Sequence, residues 1–328
     1  MKKVLATLAA VAAGGTLVAC GSAPESASTF TPETLTAAGA TFPAPLYQRW
    51  FQDYAASGKH KVSYQAVGSG AGVRQFTAGT VDFGASDGAV KDSKFPASGL
   101  VHIPMTGGAI VPAYNNPGCD AKMTQTQLAD VFLGKITNWS TFGCADKSIK
   151  VVYRSDGSGT TKGFTNSLSA FSPEWKEKVG TGKAVTWKTG VGAKGNAGVA
   201  AQIKQMDGSI GYLNYGYVTG GKFQQVALEN KDGNYVPASA ETSAAGLSKI
   251  VLDDKLRGAD ANPSGENAYP IVSLTWILAY PESPKNAAVK DTLRYMLSEE
   301  AQSKSDSLGY VPLPEDLRQK ALAAVDTL

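Results

Sequence analysis

A β-strand, a glycine-rich turn and the start of a helix follow one another repeatedly along this chain. The clearest unit spans residues 149–165, where an apolar stretch containing Val151 and Val152 runs into the turn RSDGSGTT. The pattern recurs at residues 35–54 and 61–78, each time with a glycine in the turn and a hydroxyl side chain beside it. Such repeated units predict an α/β fold with parallel sheets, in which ligands bind where strands end and helices begin.

The turn at residues 154–160 contains the groups that proteins use to hold an oxyanion. Glycines allow backbone N–H groups to converge, Ser158 and Thr160 add hydroxyl donors, and a helix N-terminus favours negative charge. Arg154, two residues before Asp156, adds a cation. A plain strand-to-helix turn capped by Asp and Ser has the same composition, so this stretch alone leaves both interpretations open.

Three other turns carry candidate residues of the same kind. They contain Thr41 and Phe42, then Ser69, and then Asp87 directly after an apolar strand. The turn around Ser69 lacks both the G-x-G-x-x-G spacing and the Gly-Lys-Ser/Thr of a P-loop, so no nucleotide cofactor is expected. A further glycine-rich loop at residues 190–198 is either a ligand contact or cleft lining.

The order of the elements predicts two lobes. Residues 35–114 plus 272–328 are expected to form lobe 1, and residues 115–271 are expected to form lobe 2. Separate strands are predicted at residues 102–104 and 109–114, the second leaving lobe 1. Two lobes joined by crossover strands, each offering hydroxyls and amides, predict a hinged cleft that closes on a small anion.

The N-terminus reads as an export signal. Lys2 and Lys3 precede an apolar run that ends in LVACG, which resembles a bacterial lipoprotein cleavage box. We therefore predict a signal peptide at residues 1–19, a lipidated Cys20 and a flexible tether over residues 20–34. The protein is then expected on the extracytoplasmic face of the cell membrane, held by its lipid. An ordinary secretory signal that contains a cysteine is the alternative.

The net charge, the cysteines and the histidines indicate which binding partners, disulfides and metals to expect. Removal of residues 1–19 would take away two lysines and lower the formal net charge from +3 to +1, so nucleic acid is not an expected partner. In an exported protein Cys119 and Cys144 are candidates for a disulfide, although two separate buried thiols fit the sequence as well. His60 and His102 have no cysteine at a ligand-like spacing, so no metal is expected.

Several long motifs, in order, resemble the phosphate-binding proteins of bacterial phosphate ABC importers, the PstS family. The resemblance covers essentially the whole chain after the signal. It is carried by AAGATFPAPLYQRW (37–50), YQAVGSGAGVRQF (64–76), VDFGASD (81–87), LGKITNW (133–139), YRSDGSGTT (153–161), VGAKGNAGVA (191–200) and SIGYLNY (209–215).

This resemblance implies a two-lobed periplasmic-binding-protein fold of type II, with dehydrated phosphate held between the lobes. It implies that Asp87 accepts a hydrogen bond from the ligand, and that Asp156 holds Arg154 in place. It further implies a monomer that passes phosphate to membrane-embedded ABC permease subunits, without chemistry on the ligand. The matching positions that it assigns to phosphate are Thr41, Phe42, Ser69, Asp87, Arg154, Ser158, Gly159 and Thr160.

Three other functions compete with phosphate transport as interpretations of this sequence. An exported phosphatase or other hydrolase would need a nucleophile with a base or a metal, and no G-x-S-x-G is present because Asp156 and Val67 occupy glycine positions. A receptor for another oxyanion, such as sulfate, is disfavoured by Asp87, which would face a fully ionised ligand. A surface protein that uses the same fold for adhesion or signalling stays open.

Overall fold

Strands and helices are interspersed along the chain from Thr34 onwards, and they alternate strictly from the first strand to Ser86. The structure is a computed structural model and describes residues 30–328. The predicted signal peptide at residues 1–19, the predicted lipidation of Cys20 and most of the predicted tether lie outside the described residues. The first strand begins at Thr34, the last residue assigned to the tether.

The described residues contain the following strands and helices. The strands are β1 (Thr34–Gly39), β2 (Lys61–Ala66), β3 (Phe83–Ser86), β4 (Val101–Asn115), β5 (Lys122–Met123), β6 (Lys150–Arg154), β7 (Val191–Ala193), β8 (Ser209–Asn214), β9 (Gln224–Gln225), β10 (Ala227–Glu229), β11 (Tyr235–Val236) and β12 (Val272–Ala279). The helices are α1 (Ala44–Ala56), α2 (Ser69–Thr77), α3 (Gln125–Phe132), α4 (Gly159–Phe171), α5 (Pro173–Lys178), α6 (Gly195–Gln205), α7 (Tyr215–Gly221), α8 (Ala240–Leu247), α9 (Asn286–Met296), α10 (Glu299–Gln302) and α11 (Glu315–Asp326).

Helix α1 illustrates how the sequence pattern builds these elements. A proline lies in its first turn, where the missing N–H has no intrahelical partner to lose. Leu46, Trp50, Phe51 and Tyr54, the predicted apolar stripe, are all buried. Burial of each such side chain contributes roughly 1.5–3 kcal/mol, so this face determines how the helix packs. The Trp50 indole also donates to the carbonyl of Ala301, at 2.6 Å.

The main sheet has two parallel groups joined by an antiparallel centre. Its order is β2-β1-β3-β12-β4-β8-β6-β7, with β9 paired to β4. Strand β1 is parallel to β2 and β3, and β6 is parallel to β7 and β8. Strand β4 pairs with β12 up to Ala109 and with β8 from Ile110, so it passes from one group to the other. The carboxyl ends of the two parallel groups are thereby brought together around a shared central strand.

The prediction of two separate strands at residues 102–104 and 109–114 is wrong, because β4 is continuous from Val101 to Asn115. Pro104, which has no N–H to give to a ladder, lies in the interior of this continuous strand. In the structure a register shift in β12 opposite this region lets pairing continue past the proline. The parallel sheet predicted from the repeated units is correct for the two outer groups, and the centre is antiparallel.

Cys119 and Cys144 are joined by a disulfide with their Cα atoms 5.1 Å apart. The bridge connects the segment after β4 with the segment before β6. The carbonyl of Cys119 accepts hydrogen bonds from the Tyr114 hydroxyl at 2.9 Å and from the Gln224 amide at 2.7 Å. Of the two possibilities left open by the sequence, the structure has the bridged one.

None of the helices between residues 30 and 328 is long and apolar enough to cross a membrane. Over the same residues, His, Cys, Asp and Glu side chains form no group of three or more that could hold a metal ion.

Candidate functional site

The predicted site residues lie at the carboxyl ends of parallel strands. Thr41 and Phe42 follow β1, Ser69 opens the helix after β2, Asp87 follows β3, and Arg154 ends β6. These ends belong to both parallel groups, so the residues face one another across a cleft between the groups, hereafter the cleft. Such a position is the usual ligand site of α/β sheets.

Asp87 is a buried carboxylate with a defined set of donors. Its side chain accepts from the Thr275 hydroxyl at 2.9 Å and from the Ser69 hydroxyl at 3.3 Å, and only 4% of the residue is exposed. Burial raises the pKa of Asp87 to about 6, while the bond from Thr275 and the positive charges of Arg154 and Lys183 act in the opposite direction. This carboxylate is therefore poised to accept a proton or a hydrogen bond near neutral pH.

Arg154 and Asp156 form a bidentate ion pair on the other side of the cleft. The guanidinium Nε and Nη2 donate to the carboxylate at 2.7 and 2.6 Å, and Nη1 lies 3.3 Å from the Thr160 hydroxyl oxygen. Burial alone would raise the pKa of Asp156, but the bonds and charge of Arg154 outweigh it and the pKa is lowered. Three of the five guanidinium N–H groups are thus used, and two are left for a ligand.

The N-terminus of α4 supplies backbone donors beside this arginine. Ser158 caps the helix by accepting from the N–H of Thr161 at 2.9 Å. The first N–H groups of a helix, here those of Gly159 and Thr160, have no intrahelical acceptor and form a site for anions. Ser158, Gly159 and Thr160 are all buried, so these donors are shielded from bulk water.

Glycine is required where the two groups of strands approach most closely. A Cβ atom on Gly159 would lie 2.5 Å from the Ser69 hydroxyl oxygen and 2.6 Å from Cβ of Asp87, closer than any real contact. Nearby, the N–H of Gly70 donates to the carbonyl of Gly157 at 2.7 Å, a backbone bond across the cleft. The turn after β2 and the turn after β6 therefore touch directly.

Lys183 also crosses the cleft, and sequence reasoning did not identify it. Its ammonium donates to the Ser86 hydroxyl at 3.0 Å, and its carbonyl accepts from the N–H of Ser158 at 2.8 Å. Burial, together with the positive charge of Lys162, lowers its pKa to about 8, against the attraction of Asp87. With Arg154, it balances the two carboxylates of the site, so the charged side chains sum to about zero and neutral donors must contribute much of the binding.

Three tyrosines hold the turn that carries Thr41 and Phe42. The hydroxyls of Tyr64, Tyr217 and Tyr310 donate to the carbonyls of residues 40, 41 and 42 at 2.6, 2.8 and 2.8 Å respectively. In a trans peptide the N–H points away from the carbonyl, so bonds to the carbonyls of residues 40 and 41 leave the N–H groups of the next two residues turned in the opposite direction. These tyrosines are scattered along the chain and formed no pattern in the sequence.

The predicted glycine-rich loop at residues 190–198, the second half of which forms the start of α6, brings Asn196 into the site. Its side chain and backbone contact the hydroxyl of Thr41, and its side chain also contacts the hydroxyl of Thr160. The sequence analysis left this loop open between ligand contact and cleft lining. Its contacts in the structure are with the candidate ligand-binding threonines.

Taken together, the site offers many N–H and O–H donors and one buried carboxylate acceptor. Donors converging on one point bind an anion, and a single acceptor among them selects an anion that still carries a proton. The chemistry of this site is that of recognition and dehydration of a small oxyanion.

Comparison with known proteins gives consistent results at the level of sequence and of fold. A sequence profile described as a PBP superfamily domain matches residues 24–300. The chain is 39% identical over 307 residues to the phosphate-binding protein PstS of Pasteurella multocida, covering 89% of each protein. It is 40% identical over 315 residues to PstS of Xylella fastidiosa (strain Temecula1), covering 90% of this chain and 85% of that protein.

Solved structures with the same fold are more distant in sequence. A putative phosphate ABC transporter substrate-binding protein from Clostridium perfringens, solved with bound phosphate, has a TM-score of 0.67 at 20% identity, covering 86% of this chain and 100% of that one. A phosphate-binding protein from Stenotrophomonas maltophilia has a TM-score of 0.68 at 20% identity, covering 88% of this chain and 93% of that one. At this identity the two structures show the fold alone.

Proposed function

The chain belongs to the PstS family of phosphate-binding proteins, and from this premise we propose that it is an extracytoplasmic receptor for inorganic phosphate. It binds phosphate in the cleft and delivers it to the permease of an ABC importer, without chemistry on the ligand. The proposed ligands are Thr41, Phe42, Ser69, Asp87, Arg154, Ser158, Gly159 and Thr160.

The observation that carries this proposal is the buried carboxylate of Asp87 opposite the guanidinium of Arg154. Phosphate keeps at least one proton at neutral pH, so it can donate to Asp87 while its remaining oxygens accept from the guanidinium, hydroxyls and amides. Sulfate keeps no proton and would place an acceptor against an acceptor, which costs the desolvation of both groups. The charge of Arg154 and its bidentate geometry make it the strongest single donor of the set.

Isothermal titration calorimetry with phosphate and sulfate in parallel tests this function. We expect one phosphate per chain, at least about 100-fold preference over sulfate at neutral pH, and recovery of unchanged ligand. Absence of phosphate binding would refute the receptor function. Equal binding of the two anions would refute the proposed role of Asp87 in discriminating phosphate from sulfate.

We also propose the two-lobed division, with residues 35–114 plus 272–328 in lobe 1 and residues 115–271 in lobe 2. The change of pairing partner in β4 between Ala109 and Ile110 lies close to the first boundary. The bonds across the cleft from Gly70, Lys183 and Asn196 are then the contacts made on closure. A monomer is sufficient for this mechanism, because one chain carries the whole ligand set.

For localisation we propose a lipid anchor at Cys20, after cleavage of residues 1–19. Several acyl chains on one residue hold a protein stably, whereas one chain gives marginal binding. Mass spectrometry of the protein isolated from its native membrane should find an N-terminal peptide that begins at Cys20 and carries lipid. Replacement of Cys20 by Ser should release the protein from the membrane fraction. An unmodified chain that begins at another residue contradicts the anchor.

A further inference from the structure

Asn196, near the start of α6, makes four hydrogen bonds and is fully buried. Its N–H donates to the Thr41 hydroxyl oxygen at 3.1 Å, and its Nδ2 donates to the same oxygen at 2.9 Å. Nδ2 also donates to the Thr160 hydroxyl oxygen at 3.1 Å. The fourth bond runs from the N–H of Asn214 to its Oδ1, at 3.0 Å.

This last bond determines which way the Asn196 amide faces. The two ends of an asparagine amide are interchangeable in shape, so their assignment must come from the hydrogen-bond partners. The backbone N–H of Asn214 can only donate, and the atom that it meets must therefore be the oxygen. The NH₂ group consequently faces Thr41 and Thr160, and one hydrogen is available for each.

These contacts leave each of the two threonine hydroxyls able only to donate a hydrogen bond. A hydroxyl has two acceptor lone pairs and one donor hydrogen. Thr41 accepts twice from Asn196, and Thr160 accepts from Asn196 and from Nη1 of Arg154 at 3.3 Å. With both lone pairs occupied, each hydroxyl can only donate its hydrogen.

We propose that Asn196 is a positioning residue that fixes Thr41 and Thr160 as hydrogen-bond donors to the anion. It does not need to touch the ligand, since it acts through the two hydroxyls. Fixed donors offer no acceptor for the hydrogen of a protonated ligand oxygen at these two positions. The proton of the ligand is then directed to Asp87, the carboxylate among the proposed ligands. This inference rests on the proposed function. It adds the residue that determines that the two threonine hydroxyls donate hydrogen bonds to the ligand.

A set of paired variants distinguishes a positioning role of Asn196 from a purely structural role. We expect Asn196→Ala to weaken phosphate binding about 30-fold or more, since two hydroxyls regain the freedom to turn a lone pair towards the ligand. In a Thr41→Val or Thr160→Val background the same change should cost clearly less, because one of the hydroxyls on which it acts is gone. In a Thr41→Ser background, which keeps the hydroxyl, the full loss should return.

Asn230 provides a matched control for removal of a buried asparagine. It is 2% exposed, and its amide bonds backbone groups of the segments at residues 232–234 and 265–268, which contain none of the proposed ligands. Asn230→Ala should lower the melting temperature without phosphate and leave the dissociation constant within about twofold. If Asn196→Ala does not fold, Asn196→Ser serves in its place with the same expected order of losses.

Calorimetry distinguishes failure of the inference about Asn196 from failure of the proposed receptor function. Equal losses from Asn196→Ala in the valine and serine backgrounds would make Asn196 a structural residue and overturn the inference, while wild-type binding would leave the receptor function intact. Absence of phosphate binding by the wild-type protein would overturn both. Smaller losses in the valine backgrounds, with the full loss in the serine background, support the inference.

Discussion

Arg154→Ala should weaken phosphate binding by about 100-fold or more. The substitution removes the two guanidinium N–H groups left for the ligand, each a charge-assisted bond worth roughly 1.5–3 kcal/mol. It also leaves Asp156 without its bidentate partner beside an incoming anion. Removal of one member of a buried pair costs roughly 3–5 kcal/mol, so the loss should be plain in a calorimetric titration.

Controls for this prediction separate charge from geometry. Arg74 is exposed on α2, and Arg74→Ala removes the same charge from the protein with an expected change in affinity of less than about twofold. In the double variant Arg154→Ala/Asp156→Ala, part of the affinity should return, because the uncompensated carboxylate is removed as well. A dissociation constant for Arg154→Ala that equals the wild-type value would exclude Arg154 from the ligand set.

The sequence predicts the turns of this site better than it predicts the residues from distant segments that contact those turns. Each turn is a local feature, in which glycine, a hydroxyl and a helix start follow within a few residues, so Ser69 and Arg154 could be identified from their neighbours. Thr275 and Lys183 are recognised only by what they contact in three dimensions. One signal was present for Thr275, since a threonine in a mostly apolar strand needs a buried hydrogen-bond partner.

The same distinction between local and long-range information applies to the fold. The repeated units predict the parallel groups around β1 and β6 because each unit is encoded in a continuous stretch. The centre of the sheet depends on pairing between β4 and β12, which lie far apart in the chain. Pairing with two different partners along one strand leaves no local pattern in the sequence, and neither does the register shift between Thr275 and Trp276 that accommodates Pro104.

The charge balance of the site follows from these long-range contacts. From the sequence, only Arg154 and Asp156 could be identified as an opposed pair, which left Asp87 as an uncompensated negative charge in an anion site. In the structure the ammonium of Lys183, held by Ser86, acts on Asp87 from across the cleft. A carboxylate can therefore lie among the proposed anion ligands because a second, partly buried cation nearby offsets its charge.

Sulfate should bind to this protein more tightly as the pH falls towards 6. A fully ionised oxyanion needs a donor at every position, and Asp87 becomes a donor only when it is protonated. With a pKa of about 6, raised by burial, the protonated fraction of Asp87 falls about tenfold for each pH unit above that value. The association constant for sulfate should fall by the same factor above pH 6 and level off below it.

Asp87→Asn tests the assignment of this profile to one carboxyl group. Asparagine offers an N–H at every pH, so the variant should bind sulfate with a flat profile between pH 5 and pH 7, below the pKa of about 8 of Lys183. It should also keep phosphate binding within about tenfold, since the amide oxygen can still accept the proton of the ligand. Thr275→Val, which removes the 2.9 Å donor to Asp87, should move the midpoint of the sulfate profile to higher pH, because that bond lowers the pKa of Asp87. A sulfate profile that is flat in the wild-type protein would show that Asp87 does not discriminate between the two anions.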